Sequence, residues 1–197
     1  GININTVPVL DVRHKKSNNI IGNRSFDSNP KIVSKIGNYF INQFHKNNIA
    51  TVIKHIPGHG LAKVDSHKST PIVKSKLKDL NKIDFLAFKN KKSLFAITAH
   101  IIYQDIDKKF TATHSKEVIK LIKNKIKFNN LLISDDISMK ALKFSIKENT
   151  IKAFKAGCDL VLHCNAKHGE MITVAKNSPK VNAFITKKTS QFYKILS

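Results

Sequence analysis

Residues 131–139 read LLISDDISM, a short apolar run that ends in Ser134, Asp135 and Asp136. A continuous apolar run is typical of a parallel strand covered on both faces, so we expect the two carboxylates at the carboxyl end of a buried strand. Adjacent side chains of a strand point to opposite sides, and the two carboxylates cannot both face one cavity. If Asp135 faces it, this residue can act as a nucleophile or a base while Asp136 turns toward a loop or a helix terminus. The alternative is that both simply cap the helix that follows.

The same arrangement recurs along the chain, where apolar runs rich in β-branched residues are each followed by a helical pattern. These runs span residues 4–12, 50–56, 94–102, 131–134 and 159–163. The first helical pattern begins after Asn29, with Pro30 at a position where its missing N–H costs nothing. Thr113 is a candidate cap for the third helix, and Gly157 is the expected end of the fourth. The apolar face of the first helix comprises Ile32, Val33, Ile36, Phe40, Ile41 and Phe44.

Alternating strands and helices indicate an α/β fold, either an open doubly wound sheet or a (β/α)8 barrel. Polar residues follow several different runs, as in barrel enzymes, and the sequence has no GxGxxG or GxxxxGK[ST] motif. We therefore predict a (β/α)8 TIM-type barrel. Five strand–helix units fall short of eight, and a complete barrel typically needs about 250 residues. Residues 1–197 are accordingly interpreted as the C-terminal part of a single barrel domain that is incomplete at the N-terminus, with its upstream strands absent.

The composition is strongly basic, with 35 Lys and Arg against 13 Asp and Glu and a formal charge of +22. Lys is spread over nearly every segment, whereas a nucleic-acid surface concentrates basic residues on one face. We interpret the charge as a product of AT-biased coding that can still steer anionic substrates, and we predict no nucleic-acid partner. No apolar stretch approaches the roughly 20 residues that span a bilayer. The spacing of Cys158 and Cys164 matches neither a zinc motif nor a disulfide scaffold, which favours a reducing, cytoplasmic location. We also expect a monomer that does not associate with membranes.

A second polar cluster spans residues 54–67, KHIPGHGLAKVDSH. Its glycines and proline prevent His55 and His59 from lying one turn apart on a helix, so their spacing loses its usual zinc-site meaning. Asp65 and His67 can converge if the loop turns there, with the carboxylate orienting the imidazole and supporting its protonated form. The alternative is a solvated loop with a serine-mediated turn.

A third cluster, IIGNRSFDSNP at residues 20–30, carries Arg24. The basic residues are Lys except for Arg13 and Arg24. The use of Arg at position 24 suggests that a planar guanidinium is needed there. Such a group can clamp a carboxylate or several sugar oxygens. The alternative interpretation is an ion pair within the loop.

Taken together, these segments resemble the bacterial β-N-acetylglucosaminidases (β-N-acetylhexosaminidases) of glycoside hydrolase family 3, single-domain cytoplasmic enzymes of cell-wall recycling. KHIPGHG followed by DSH is highly specific for this family, and IGNRSF and SDDISM support it independently. The family's upstream segment, which contains an Asp-Gln-Glu-Gly-Gly run and a sugar-binding aspartate, has no counterpart here. The matching segments, in the family's order, are PVLDV, IGNRSF, KHIPGHG with DSH and a Thr-Pro pair, TAHIIYQDID, LLISDDISM and AGCDLVLHCN.

The resemblance implies a retaining glycosidase that needs no cofactor or metal and releases terminal β-linked N-acetylglucosamine from muropeptides containing 1,6-anhydro-N-acetylmuramic acid. Asp135 matches the nucleophile that forms a covalent glycosyl-enzyme. His67, oriented by Asp65, matches the acid/base that replaces the usual second carboxylic acid. The resemblance also assigns substrate-binding positions, which are Arg24, Lys54 and His55, with His100 as a further residue that lines the site.

Three alternatives remain at this point. Phosphate could replace water in the second step, because a histidine acid/base repels it less than a carboxylate does. A metal-dependent barrel hydrolase would use a different set of side chains. A basic binding module or a remnant without turnover would keep the fold alone. The metal ligands in the second alternative would be His55, His59, Asp65, His67 and Asp135.

Overall fold

The structure, a computed structural model, describes residues 1–15 and 20–196. Its centre is a sheet of five parallel strands in the order β1-β2-β4-β6-β7, and a two-stranded parallel sheet pairs β3 with β5. The strands are β1 Ile4–Asn5, β2 Ala50–Ile56, β3 Ile72–Val73, β4 Phe95–Thr98, β5 Ile102–Tyr103, β6 Leu131–Asp136 and β7 Leu160–Leu162. The helices are α1 Pro30–Lys46, α2 Leu77–Lys82, α3 Lys116–Leu121, α4 Ile146–Ala156, α5 His168–Asn177 and α6 Ala183–Leu196, and a π-helical turn, Ile122–Ile126, extends α3.

The three central strands are held in register by apolar side chains. Ile53 pairs with Ala96, and Ala96 pairs with Leu132 on the next strand. All three are essentially inaccessible to solvent, as expected for parallel strands covered on both faces. The register shifts between Lys54 and Ile56, where the backbone of β2 turns into the loop that carries the second polar cluster.

Helix α1 begins as the sequence predicts. The side chain of Asn29 accepts a hydrogen bond from the backbone N–H of Lys31, and Pro30 is the first helical residue. Val33 and Ile41 are buried on its inner face, whereas Ile32 is 42% exposed, so its assignment to the apolar face was wrong. Ile32 precedes Val33 by one residue, which rotates its side chain by about 100° away from the core.

The ends of α3 and α4 show which polar residues act as caps. The hydroxyl of Ser115, and not that of Thr113, accepts the backbone N–H of Val118 at the start of α3. Helix α4 begins with a capping box between Ser145 and Glu148, and it ends at Gly157, whose φ of 116° lies in the left-handed region. The predicted end of this helix is therefore confirmed, and the predicted cap of α3 is wrong.

The five-stranded sheet confirms the predicted α/β class as a parallel half-barrel, and a complete eight-stranded barrel is not formed by these residues. Strands β1 and β7 lie at its two edges, and the side chains of Ile2 and Ile4 beside the first edge are 76% and 37% exposed. No helix within the described residues is long and apolar enough to cross a membrane.

Candidate active site

The candidate site lies along the edge where the carboxyl ends of β2, β4 and β6 meet. Because these strands are parallel neighbours, their last residues are brought to the same side of the sheet. His55 lies near the end of β2, His100 follows β4, and Asp135 is the penultimate residue of β6. His163, which follows β7, is instead paired with Glu170 of α5 at 2.8 Å.

The two adjacent carboxylates of β6 have different surroundings. Asp135 Oδ1 accepts the backbone N–H of Asp136 at 2.9 Å, and its side chain is 20% exposed. Asp136 accepts hydrogen bonds from the backbone N–H and the hydroxyl of Ser138, at 3.0 and 2.6 Å, and from the backbone N–H of Cys164 at 3.1 Å. Asp136 therefore joins the loops after β6 and β7, while Asp135 keeps oxygen lone pairs available at the strand end.

His55 lies between Asp135 and a buried aspartate, Asp11. Its Nδ1 donates to Asp11 Oδ2 at 2.7 Å, and its Nε2 lies 4.0 Å from Asp135 Oδ2. Because a carboxylate can only accept, Nδ1 carries the proton, and Nε2 is the ring atom directed toward Asp135. Asp11 thus fixes both the tautomer and the orientation of this imidazole.

Asp11 is fully buried and holds three N–H groups on its two oxygens. Besides the ring of His55, it accepts the backbone N–H of His55 at 3.1 Å and that of His59 at 2.6 Å. Burial alone would raise the pKa of Asp11, but the adjacent His55 and His59 outweigh it and hold the pKa below its ordinary value. Burial and the neighbouring His55 lower the pKa of His59 to about 4, so this ring is neutral near pH 7.

His100 is buried behind Asp135 and reaches the backbone of the next residue. Its Nε2 donates to the carbonyl oxygen of Asp136 at 3.0 Å, and its Nδ1 lies 2.7 Å from the hydroxyl of Thr113. Burial lowers the pKa of His100, so the ring is neutral and Nδ1 accepts the hydroxyl proton. Thr113 in turn accepts from Thr98 at 2.8 Å. This chain of hydrogen bonds holds the backbone on which Asp135 is carried.

Asp65 and His67 form the pair that their spacing indicates. Asp65 Oδ1 accepts both the backbone N–H and Nδ1–H of His67 at 2.9 Å, and these bonds lower the pKa of Asp65. The imidazole is 71% exposed. Within the described part of the chain it makes no hydrogen bond to Asp135, so the Asp65–His67 pair forms without contacting that carboxylate.

The loop that carries the dyad is attached to the segment downstream of Asp135. The backbone N–H of Ala141 donates to the carbonyl oxygen of Ser66 at 3.1 Å, and the hydroxyl of Thr70 donates to the carbonyl oxygen of Ala141 at 2.7 Å. Ser66 and Thr70 flank His67 in sequence. The loop after β2 and the loop after β6 are therefore joined on both sides of the dyad histidine.

Arg24 and Lys54 are two cations whose charges interact. Arg24 is exposed, and its Nη2 donates to the carbonyl oxygen of Ile20 at 2.7 Å. Burial lowers the pKa of Lys54, and the nearby guanidinium of Arg24 lowers it further, whereas Asp135 and Asp11 oppose the change. Lys54 therefore lies within electrostatic range of both Asp135 and Arg24.

Two of the histidines named as possible metal ligands have carboxylate partners in this structure. Among residues 1–15 and 20–196, no group of three or more His, Cys, Asp or Glu side chains is arranged to hold an ion. The Nδ1–H groups of His55 and His67 are directed to carboxylates.

Sequence reasoning missed the residues that support the site from behind. The sequence patterns assign no role to Asp11, although the PVLDV segment contains it, and they predict Thr113 as a helix cap. The contacts of Asp11 join residues 44 and 48 positions apart. No local spacing rule could have identified these partners.

Comparison with known proteins gives consistent matches over nearly the whole chain. The family model of the glycosyl hydrolase family 3 N-terminal domain matches residues 1–191. A β-hexosaminidase of Actinobacillus pleuropneumoniae serotype 5b (strain L20) is 36% identical over 174 residues, which cover 85% of this chain and 50% of that protein. A β-hexosaminidase of Idiomarina loihiensis is 31% identical over 183 residues, which cover 91% of this chain and 55% of that protein.

A solved structure also matches over nearly the whole chain. NagZ from Neisseria gonorrhoeae in complex with N-trifluoroacetyl-D-glucosamine superposes with a TM-score of 0.86 at 28% identity, over 98% of this chain and 56% of that one. The chain spans about half the length of the curated relatives it matches.

Proposed function

Because this chain belongs to the family of glycosyl hydrolase family 3 N-terminal domains, we propose that it provides the catalytic residues of a retaining β-N-acetylglucosaminidase. The observation that carries the proposal is the partly exposed carboxylate of Asp135 at the end of β6, next to the His55 ring and on a strand whose loop is joined to the Asp65–His67 dyad. The names of the relatives support a hexosamine as the sugar.

In the first step an oxygen of Asp135 forms a bond to the anomeric carbon as the bond to the leaving oxygen breaks. His67 gives its proton to that oxygen. In the second step water attacks the same carbon, returns a proton to His67 and releases Asp135 as a carboxylate, so the anomeric configuration is retained. Since Asp65 accepts the Nδ1–H of His67, Nε2 is the atom that exchanges the proton.

The remaining polar residues would hold the sugar for this attack. Arg24 and Lys54 supply donors to hydroxyl or acetamido oxygens, and His55, fixed by Asp11, presents Nε2 beside Asp135. Holding the anomeric carbon in line with the carboxylate reduces the entropic cost of bringing the two reacting atoms together. This positioning lowers the activation free energy by several kcal/mol. His100 acts on the same geometry through the backbone of Asp136.

The proposed substrates are muropeptides that contain 1,6-anhydro-N-acetylmuramic acid, from which terminal β-linked N-acetylglucosamine is released in the cytoplasm by a monomer. The NagZ neighbour with its bound N-trifluoroacetyl-D-glucosamine supports the N-acylated glucosamine part of this substrate. We further propose that the five strands are the C-terminal part of a single (β/α)8 barrel in which additional strands pair with β1 and β7. The exposed Ile2 and Ile4 beside β1 support this arrangement, because they would be covered there.

The decisive experiment traps the covalent intermediate in the full-length protein. A 5-fluoro N-acetylglucosaminyl fluoride should add one sugar, and peptide mapping should locate it on Asp135. The Asp135→Asn variant should remain unlabelled, and Asp105→Asn, at an exposed aspartate outside the site, should label normally. Labelling of another residue, or release of a product with inverted configuration, would reject the mechanism.

A second experiment separates the dyad from a binding role. His67→Ala should lose about 10²–10⁴-fold on a natural disaccharide, where the leaving oxygen needs a proton, and much less on a nitrophenyl glycoside. Azide should partly restore the nitrophenyl reaction, since its attack needs no base. His168→Ala, at an exposed histidine of α5, is the matched control. Equal losses on both substrates would contradict the role of His67, and adding phosphate to the wild-type reaction would reveal a glycosyl phosphate if phosphorolysis occurs.

A further inference from the structure

His59 connects the two sides of the candidate site. Its backbone N–H donates to Asp11 Oδ1 at 2.6 Å, and the other oxygen of that carboxylate holds the ring of His55, whose Nε2 lies 4.0 Å from Asp135. The ring of His59 reaches the other way, where its Nε2 lies 3.3 Å from the hydroxyl oxygen of Ser66. Ser66 is the residue between the two members of the dyad. His59 therefore lies on a path of contacts that leads from Asp135 to the dyad.

Ser66 is the buried residue of residues 63–69, a segment that otherwise faces solvent. It is 4% exposed, whereas the side chains of Asp65 and His67 on either side of it are 29% and 71% exposed. Its hydroxyl meets the ring of His59, and its carbonyl oxygen accepts the backbone N–H of Ala141 at 3.1 Å. The dyad is thus attached to the body of the protein through the residue between its two members.

The surroundings of the His59 ring fix its position. The residue is buried, and its ring makes an edge-on contact with the ring of His55, with 5.4 Å between the ring centroids and 63° between the planes. The backbone that carries it is held as well, because the buried hydroxyl of Tyr103 donates to the carbonyl oxygen of Gly58 at 2.6 Å. A ring held this closely passes the position of its own backbone on to Ser66.

The contact with Ser66 is the hydrogen bond that orients this ring. Among the described residues, the other ring nitrogen of His59, Nδ1, has no hydrogen-bond partner. Burial and the neighbouring His55 lower the pKa of His59 to about 4, so the ring is neutral near pH 7 and brings no charge to the dyad. Because the ring is buried and neutral, it acts through the residues that it holds.

We propose that His59 is a positioning residue, which holds Ser66 and thereby sets where the dyad lies relative to Asp135. The inference rests on the proposed function, because it gives His59 a part in the same reaction. Since the carboxylate of Asp11 accepts from both His55 and His59, it places the two sides of the site from a single point. A misplacement of about 1 Å can cost on the order of 10²-fold in rate. Loss of the contact with Ser66 should therefore impair proton transfer more than sugar binding.

Kinetics of the full-length protein test this role with two variants. His59→Phe keeps a ring without nitrogens, and Ser66→Ala removes the hydroxyl. Each should lower kcat/KM about 10–100-fold on a natural disaccharide, whose leaving oxygen needs a proton, and less than about threefold on a nitrophenyl glycoside. His59→Gln, whose amide can lie where Nε2 lies now, and Ser66→Thr should recover part of the loss. Equal losses on the two substrates would overturn the role of His59, since they would indicate a general effect on folding or sugar binding.

A double-mutant cycle shows whether the two residues act together. The double variant His59→Phe/Ser66→Ala should lose no more activity on the disaccharide than either single variant, because each change removes the same hydrogen bond. The matched control is His45→Phe, because Nε2 of His45 also lies 3.2 Å from a hydroxyl, that of Thr51 near the amino end of β2. It should turn over like the wild type, and its effect should add to that of Ser66→Ala. Additive losses for His59 and Ser66 would overturn the coupling.

Hydrogen exchange separates this inference from the proposed function. The amide proton of Ala141, which the carbonyl oxygen of Ser66 accepts, should exchange about tenfold faster in His59→Phe and in Ser66→Ala, while the amides of β4 keep their wild-type rates. His45→Phe should leave all of these rates unchanged. If His59→Phe fails to fold, Ser66→Ala decides alone. A wild type without turnover would reject the proposed function, whereas unchanged exchange at Ala141 would overturn the role of His59 whatever the activity.

Discussion

Replacing Asp11 by Asn tests the buried support of the candidate site. Its carboxylate holds the His55 ring and two backbone N–H groups, at 2.6–3.2 Å, without solvent contact. An amide can still accept from the backbone groups with its one oxygen, but its NH2 group faces the Nδ1–H of His55, so the bond to the ring is lost. We expect Asp11→Asn to lower the free energy of unfolding by about 3–5 kcal/mol, the usual cost of breaking a buried charged pair.

Urea and thermal unfolding at pH 7 measure this loss, which corresponds to a fall in Tm of roughly 6–20 °C for a chain of this length. The pKa of Asp11 is lowered in the folded state, so its contribution is fully present above the unfolded value of about 3.9 and is lost as the pH falls through the folded value. The difference between wild type and variant should therefore be constant above about pH 5 and shrink below about pH 4.

The control is Asp105→Asn, at an exposed carboxylate that also accepts a backbone N–H, which should leave the unfolding curve nearly unchanged. An Asp11→Asn protein within 1 kcal/mol of the wild type at pH 7, or a difference that persists unchanged to pH 3, would refute the reasoning. Turnover of a nitrophenyl glycoside should also fall in Asp11→Asn, because the ring of His55 loses its fixed orientation.

Three further outcomes follow from the structure. His100→Leu should lower kcat on the order of 10²-fold with little change in KM, because the carbonyl of Asp136 loses its hydrogen-bond donor. His100→Gln should recover part of the lost kcat, since its amide can donate to the same oxygen. Equal losses of kcat in the two variants would argue that His100 acts through packing. Gly60→Ala should destabilise the fold by about 1–3 kcal/mol in urea, because a Cβ there would collide with the carbonyl oxygen of Val12, and an unchanged urea midpoint would contradict this. Ser145→Ala should cost about 1 kcal/mol of unfolding free energy by removing the cap of α4, whereas an unchanged stability would show that the capping box contributes nothing.

The fold was predictable where local chemistry determines it. Strand β2 has the bounds that its apolar run indicates, and Gly157 ends α4 because only glycine adopts its positive φ without strain. The predicted strand at residues 4–12 is shorter, with regular pairing limited to Ile4–Asn5. Pro8 cannot donate to a neighbouring strand, although its carbonyl still accepts the N–H of Lys54. Local sequence patterns could not reveal a segment that accepts a hydrogen bond at Pro8 without donating one there.

The site was predictable to the level of residue type and strand end, and less so in its contacts. Alternation along β6 required the two carboxylates to face different ways, but only the loops after β6 and β7 determine that Asp136 is the one engaged. Thr113 and Ser115 are equally good caps in the sequence. The buried ring of His100 binds Thr113 and leaves Ser115 to cap α3. Each of these outcomes depends on a partner distant in sequence.

The two bonds of Ala141 limit how far the dyad histidine can travel. Ser66 and Thr70 are both attached to this one residue, so only residues 67–69 lie between the fixed points. The four Cα–Cα steps from Ser66 to Thr70 have an extended length of about 14 Å. A loop segment fixed at both ends can move its middle away from the line between those ends by no more than roughly half of that length. In the proposed mechanism, proton transfer from His67 would then depend mainly on rotation of its side chain. In that mechanism, a substrate that needs more clearance would have to break the attachment to Ala141, which would disturb the segment immediately downstream of Asp135.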